Sequence, residues 1–485
     1  MGILRRGTQL FKNNFFLLGL TSFLWLIWRT GSKPNRITYP CQQAAALNVN
    51  LWVATYFAPL LVLHDFGSRI RTDWKPFLAV LLLISVGYIY LDTSEEAETD
   101  LTSIRIPLEP FRSYNEDAAK IFAVTRTNGA DNGLDRLIDL MADNDQPFYR
   151  SSKEMIAQGP DGYIGTNDVV LIKVNSQWDE RGGTNTDLVA SIIRVILDHP
   201  EGWKGEIIVA DNGQGQYGGA SRGGSLDWPT SNAQNKTQSI HNVVDMYATH
   251  SKVSTCLWDE FTTNVVQEFA EGDSEDGFVV NTTVITTTGT MVSYPKFTTQ
   301  YGTQISFKYG VYRPEIEDYD LDKLIIINVP VLKTHMIYGV TGAIKHYMGV
   351  PSDKLTASLG YRAHQTVDKG GMGTLMAETR VPTLTIIDAI YINAIPKDGP
   401  KTPYTHATET NIIAASTDPI AIDYWASKNI LCAVSEKLGY DTESLDPDNL
   451  TENEFGYWLM ASMDELNSAG WGFTNDPEET TVYVD

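Results

Sequence analysis

Apolar runs alternate with amphipathic stretches through residues 166–440, and the spacing of the two predicts strands and helices in turn. Residues 168–174 (DVVLIKV) and 206–210 (EIIVA) are short runs rich in β-branched side chains; between them, residues 187–197 place Leu188, Ile192, Ile193 and Val195 on one face of a helix. Strand, helix and strand in that order predict a βαβ unit and a parallel pair. Residues 324–332 read as a strand covered on both faces, and further strands are expected at 383–387 and 411–415, all parallel to it. Residues 278–312, rich in Thr, Val and Tyr, alternate in the manner of an antiparallel hairpin or small meander inserted among the parallel strands. Asp418 and Pro419 supply a side-chain cap and a first-turn proline for a helix reaching about Leu438. Residues 133–142 read as helical, and 454–468 as a closing amphipathic helix. The fold class is α/β: a mostly parallel sheet flanked by helices, with an antiparallel β insertion.

The first 92 residues follow a different pattern. Apolar segments at 13–28, 44–63 and 76–91 are each near the shortest length that spans a bilayer, and Trp25, Trp28, Trp52, Tyr88 and Tyr90 suit its interfaces. An anchor of up to three transmembrane helices is expected in 1–92, with the lipid bilayer as its partner. A connecting region (93–165), the α/β domain (166–440) and a C-terminal helix with an acidic tail (441–485) follow. Positive charge at the amino terminus and in the 69–75 loop places the amino terminus in the cytoplasm and the large domain outside; if the second segment does not span, the large domain is cytoplasmic.

Charge sharpens this division. Residues 1–92 hold nine Lys/Arg and three Asp/Glu, leaving 28 of the 37 bases and 57 of the 60 acids to residues 93–485. So anionic a domain repels phosphodiester backbones, which argues against nucleic acid as a partner. The three cysteines, Cys41, Cys256 and Cys432, are isolated from one another, so no iron–sulfur cluster is expected. The glycine-rich segment 211–232 has neither dinucleotide-binding nor Walker spacing and reads as a surface loop.

Against that acidic background, basic and polar residues gather where strands are expected to end. Lys173 and Asn175 follow the first strand, Asp211 the second, Lys333 and His335 the third, Asp388 the fourth and Asp418 the last. Parallel strands would bring these ends to one crevice, the usual place for ligands in open α/β sheets. Thr341 and Gly342 then prepare a helix whose first turn carries Lys345 and His346, a geometry that favours an anion. The candidate ligand-binding residues are therefore Lys173, Asn175, Lys333, Thr341, Gly342, Lys345 and Asp418, and the expected ligand is a small phosphate or carboxylate. His335 or His346 could transfer protons, oriented by Asp211 or Asp388. Each of these residues also has a structural reading as turn former, cap or solvated cation. A divalent metal held by Asp211, His335, Asp388 and Asp423 stays open as a cofactor, although no diagnostic spacing marks one.

Residues 328–349, NVPVLKTHMIYGVTGAIKHYMG, resemble the hallmark of the domain of unknown function 362 family, with further likeness in VLIKVN (170–175), IIDAI (386–390) and STDPIAID (416–423). The likeness covers roughly residues 165–435 and identifies the α/β domain, with insertions at 211–235 and 270–322. Membrane-attached members are also similar around YPCQQAAA (39–46). The resemblance implies no particular reaction; where members carry ferredoxin-like modules, this chain lacks the cysteines. His346 departs from the family pattern, in which an asparagine is common after the helix lysine. Two functions fit: a membrane-anchored anion-binding protein able to act on its ligand, and a non-catalytic subunit of a membrane or cell-surface complex.

Overall fold

A computed structural model describes residues 102–214 and 223–485, with Thr21–Trp25 and Val49 besides. The chain divides into two compact units, 1–97 and 98–485. The three apolar segments of the expected anchor lie, apart from those few residues, outside the described part. Among the described residues no helix is long and apolar enough to cross a membrane.

The second unit is built on one large mixed sheet. Its strands are β1 (Ala119–Thr125), β2 (Val169–Lys173), β3 (Glu206–Asp211), β4 (Val253–Leu257), β10 (Leu324–Asn328), β13 (Leu384–Asn393), β14 (Thr408–Ser416) and β15 (Thr480–Val484), in the spatial order β15-β1-β14-β13-β10-β2-β3-β4. From β13 to β4 all neighbours are parallel. Helices α1 (Gly133–Ala142), α2 (Thr186–Leu197) and α3 (Ile240–Ala248) share a core with one face of the sheet, where Phe122, Ile172 and Ile327 point. Ile121, Leu171 and Ile326, their neighbours in sequence, point into a second core on the other face. Alternate residues are thus buried on opposite sides, which is why the strands read as unbroken apolar runs.

The 270–322 insertion forms its own antiparallel sheet, β5 (Gly277–Ile285), β6 (Thr290–Thr298), β7 (Gln304–Ser306), β8 (Gly310–Arg313) and β9 (Asp318–Asp320), packed in the second core through Phe278, Phe297 and Ile305. Helices α4 (Asp353–Ser358), α5 (Gly371–Glu378) and α8 (Phe455–Ser468) complete that side, α8 packing on α5.

Several expectations are corrected. The run 324–332 is two strands, because Pro330 has no N–H to continue the ladder: β10 stops at Asn328, and β11 (Val331–His335) pairs in parallel with β13 and in antiparallel with β12 (Gly339–Thr341). Lys333 and His335 therefore lie inside a strand. β14 runs antiparallel to β13, since the chain returns through 394–407 with no crossover helix, only the short turn Tyr404–His406. Ser416 consequently pairs with Thr385 near the amino end of β13, and Asp418 lies at the other edge of the sheet from Lys173. The expected connecting region supplies β1, and the expected tail supplies β15, which lies parallel beside it. The helix after Pro419 is α6 (Pro419–Ala426), a π-helical turn (Ser427–Cys432) and α7 (Ala433–Lys437). Cys256 and Cys432 are free thiols.

Candidate functional site

The order of strands locates a crevice before any side chain is considered. From β2 the chain moves outward to β3 and β4, whereas β10, on the other side of β2, leads to β13. Strand order reverses between β2 and β10, and such a switch point leaves an opening beyond the carboxyl ends of the two strands. Lys173 and Asn328 are paired residues at those ends. A cavity of about 270 Å³ lies there, walled by Lys173, Asn175, Trp178, Asp211, Lys333, His335, Thr341, Lys345, His346 and His364 among others. Eight of the eleven candidate ligand-binding and proton-transfer residues thus line one space.

Lys173 and Asp211 form a buried ion pair at 3.0 Å, and Asp211 also accepts from the Ser176 backbone N and hydroxyl at 2.9 Å each. Gly349 makes this possible: a Cβ there would stand 2.3 Å from Asp211 Oδ1 and 2.6 Å from Lys173 Nζ. Lys333 donates to the Gly182 carbonyl. Lys345 has neither carboxylate nor hydrogen-bond partner among the described residues; its ammonium stands 5.5 Å from the centre of the Tyr338 ring. Burial lowers all three lysine pKa values, Lys333 further through the neighbouring Lys345 charge, and Lys345 to about 7. Three lysines therefore meet one ion-paired carboxylate in the wall.

The polar groups between them are unfinished. Asn175 Oδ1, Trp178 Nε1, Thr341 Oγ1 and His346 Nε2 are buried in the cavity wall without hydrogen-bond partners among the described residues. His346 Nδ1 lies 2.7 Å from Asn328 Oδ1, and since Asn328 Nδ2 donates to the Ala343 carbonyl, that contact assigns a proton to Nδ1. Burial, with Lys173 and Lys333 nearby, holds His346 well below the ordinary histidine range. His335 is likewise kept neutral by burial and by Lys345, its Nδ1 accepting from the backbone N of Ile337 and Tyr338. Neither imidazole is oriented by Asp211 or Asp388, as the sequence reading had it. A bound anion would favour their charged forms again.

Asp388 stands behind the wall. It accepts from Asn185 N at 2.8 Å and Asn232 Nδ2 at 3.2 Å, so it fixes the start of α2, and burial pushes its pKa up to about 6. Asp418 is the cap of α6, accepting from Ile420 N, Ala421 N and Thr474 N, and takes no part in the crevice. The helix expected after Gly342 is a short 3-10 segment, Lys345–Gly349. The N–H groups just ahead of it are already taken: Asp423 accepts from Ala343 N at 2.5 Å and Ile344 N at 2.9 Å, and Gly342 is required because a Cβ would meet Asp423 Oδ1 at 2.1 Å. The protein's own carboxylate fills the cradle predicted for a ligand. Backbone donors satisfy the buried Asp423. The proposed metal set is thereby dispersed among separate partners, and among the described residues no group of three or more His, Cys, Asp or Glu could hold a metal ion.

Sequence reasoning missed Trp178, Gln177, Gln214, His364 and Pro400. The first two follow β2 directly and were findable from their place beyond its end; His364 comes from a 3-10 segment (Ala363–Lys369) with no local signal. A wider groove of about 750 Å³ lies elsewhere, between Arg105, Arg126, Asp131 and Glu409, but gathers balanced charges and none of the residues singled out above. No curated protein matches the chain. Residues 307–428 match the family described as a domain of unknown function (DUF362), which supports the kinship suggested by the 328–349 motif and spans β8 to α6.

Proposed function

We propose that the crevice binds a small anion, a carboxylate or phosphate compound, and acts on it. The observation that carries this reading is the imbalance of the wall among the described residues: Lys173, Lys333 and Lys345 against the single carboxylate of Asp211, with four buried polar atoms left without partners. Buried cations without counter-ions cost stability, and a ligand of opposite charge offsets that cost. The cavity lies just below the ~300–1,000 Å³ of drug-sized pockets, which suits a metabolite-sized ligand. The chemistry available is charge stabilisation by lysine and hydrogen bonding through Thr341, Asn175 and Trp178.

Thermal unfolding of the full chain with phosphate, carboxylates and divalent metals is the test. Stabilisation by anions that disappears in Lys333→Ala and Lys345→Ala is the expected result; equal stabilisation of these variants would refute the reading. A second reading, a non-catalytic subunit of a membrane complex, is favoured by exposed Met336, Ile337, Leu359 and Tyr361, the first two at the crevice mouth. It predicts no ligand response and co-purification with a fixed partner. Attachment to a bilayer through residues 1–92, with the large unit outside the cytoplasm, rests on the three apolar segments and their flanking charges; resistance to alkaline extraction from membranes and protease accessibility on intact cells test it.

A further inference from the structure

The anion reading leaves Lys345 with more than a charge to contribute. Its side chain is buried, lines the cavity and has no carboxylate among the described residues to hold it as an ammonium, while Lys173 has Asp211 and Lys333 has the Gly182 carbonyl. Beside it are the Tyr338 ring, the neutral His335 and His364, and the exposed apolar side chains of Met336 and Ile337 at the mouth. An amine in such surroundings, disfavoured as an ammonium by its burial, is available as a nucleophile. Lys333 is close enough for the two charges to repel.

We propose that Lys345 captures the carbonyl group of a small oxo compound bearing a carboxylate or phosphate, forming an imine while the anionic group is held by Lys333 and Lys173. This rests on the anion-binding reading and names the ligand class. The nitrogen lone pair forms the C–N bond as the carbonyl π pair moves to oxygen, and the amine proton passes to that oxygen to give a carbinolamine. The C–O bond then breaks, the departing hydroxide takes up one proton and leaves as water, and an iminium cation remains. Amine, carbonyl and one proton enter; iminium and water leave, with no oxidant or reductant. The Thr341 hydroxyl, without a hydrogen-bond partner among the described residues, lines the same cavity and offers a group to relay the protons. Burial sets Lys345 to about 7, so that a large fraction of the amine is neutral at physiological pH.

The test is borohydride trapping. The full chain is incubated with pyruvate or with dihydroxyacetone phosphate, reduced, and mapped by peptide mass spectrometry; lactate and glycerol 3-phosphate, which have no carbonyl, serve as thermal-shift ligands and competitors. The expected result is a reduced adduct on Lys345 with one or both oxo compounds, slowed by the matching competitor, and absent in Lys345→Arg although that variant still responds thermally to the anions. Which oxo compound reacts distinguishes carboxylate from phosphate recognition. Thermal shifts without an adduct, or adducts spread over surface lysines, overturn the imine and leave anion binding standing. No shift with any of the four compounds and no adduct overturns both.

Discussion

Replacing Lys345 by Met should make the protein more stable. The side chain is 6% exposed and its ammonium has no counter-ion among the described residues, so the folded state bears the cost of burying a charge. Moving an amine from its ordinary value of 10.5 to about 7, at about 1.4 kcal/mol per pH unit, corresponds to a cost on the order of 5 kcal/mol when the group is protonated. Methionine retains the apolar stem and removes the charge. Discounted for water in the cavity and for relaxation, a gain of at least about 2 kcal/mol is expected near pH 6. Between about pH 7 and 10.5 the unfolded chain keeps the proton that the folded chain has lost, so wild-type stability rises with pH relative to the variant, by up to about 1.4 kcal/mol per unit. The advantage of Lys345→Met is therefore full below about pH 7 and fades toward about pH 10. Urea unfolding of both proteins near pH 6, 8 and 10 measures this. A variant less stable than wild type near pH 6, or a difference independent of pH, would mean that the ammonium already has a partner, and the argument from unbalanced charge would fail.

Other substitutions probe the supports of the crevice. Gly349→Ala places a Cβ against both members of the Lys173–Asp211 pair, so a loss of about 1–3 kcal/mol in urea unfolding is expected together with weaker phosphate binding. Asp423→Asn leaves one acceptor for the two N–H groups of Ala343 and Ile344 and should cost about 1–3 kcal/mol near pH 7 in the same assay. Because burial raises Asp423 from 3.8 to about 7, the folded state binds more protons than the unfolded one across that window. Wild-type stability should accordingly fall relative to Asp423→Asn as pH rises through it. Phosphate binding followed by calorimetry should weaken as pH is raised through about 7, where Lys345, facing Lys333, His335, His364 and Tyr338, sheds its charge.

The parallel half of the fold was legible because its strands are buried on both faces and separated by a helix of clear periodicity: 168–174, 187–197 and 206–210 correspond to β2, α2 and β3 within a residue or so. The direction of β14 was not, since the four apolar residues 412–415 look the same in either sense and only the connection decides. β15 escaped because a five-residue partner of β1 from an acidic stretch has no pattern of its own; its place is given by pairing. At the site, Lys173, Lys333 and Lys345 were recoverable because charge within apolar runs is conspicuous. What sequence could not supply was the allocation of partners. The cradle at Ala343–Ile344 looks open until Asp423, eighty residues on, is seen to occupy it, and Asp388 looks like a strand-end acid until β13 is found to continue to Asn393. Such assignments depend on tertiary contacts that local periodicity does not encode.

The most direct examination of the anion-binding crevice is a crystal of the full chain soaked in selenate, with the anomalous difference map calculated at the selenium edge. The account predicts a peak in the cavity within hydrogen-bond reach of the Lys345 and Lys333 ammonium groups, and its loss in Lys345→Met. Selenate ordered at other sites while this cavity holds only water would contradict it.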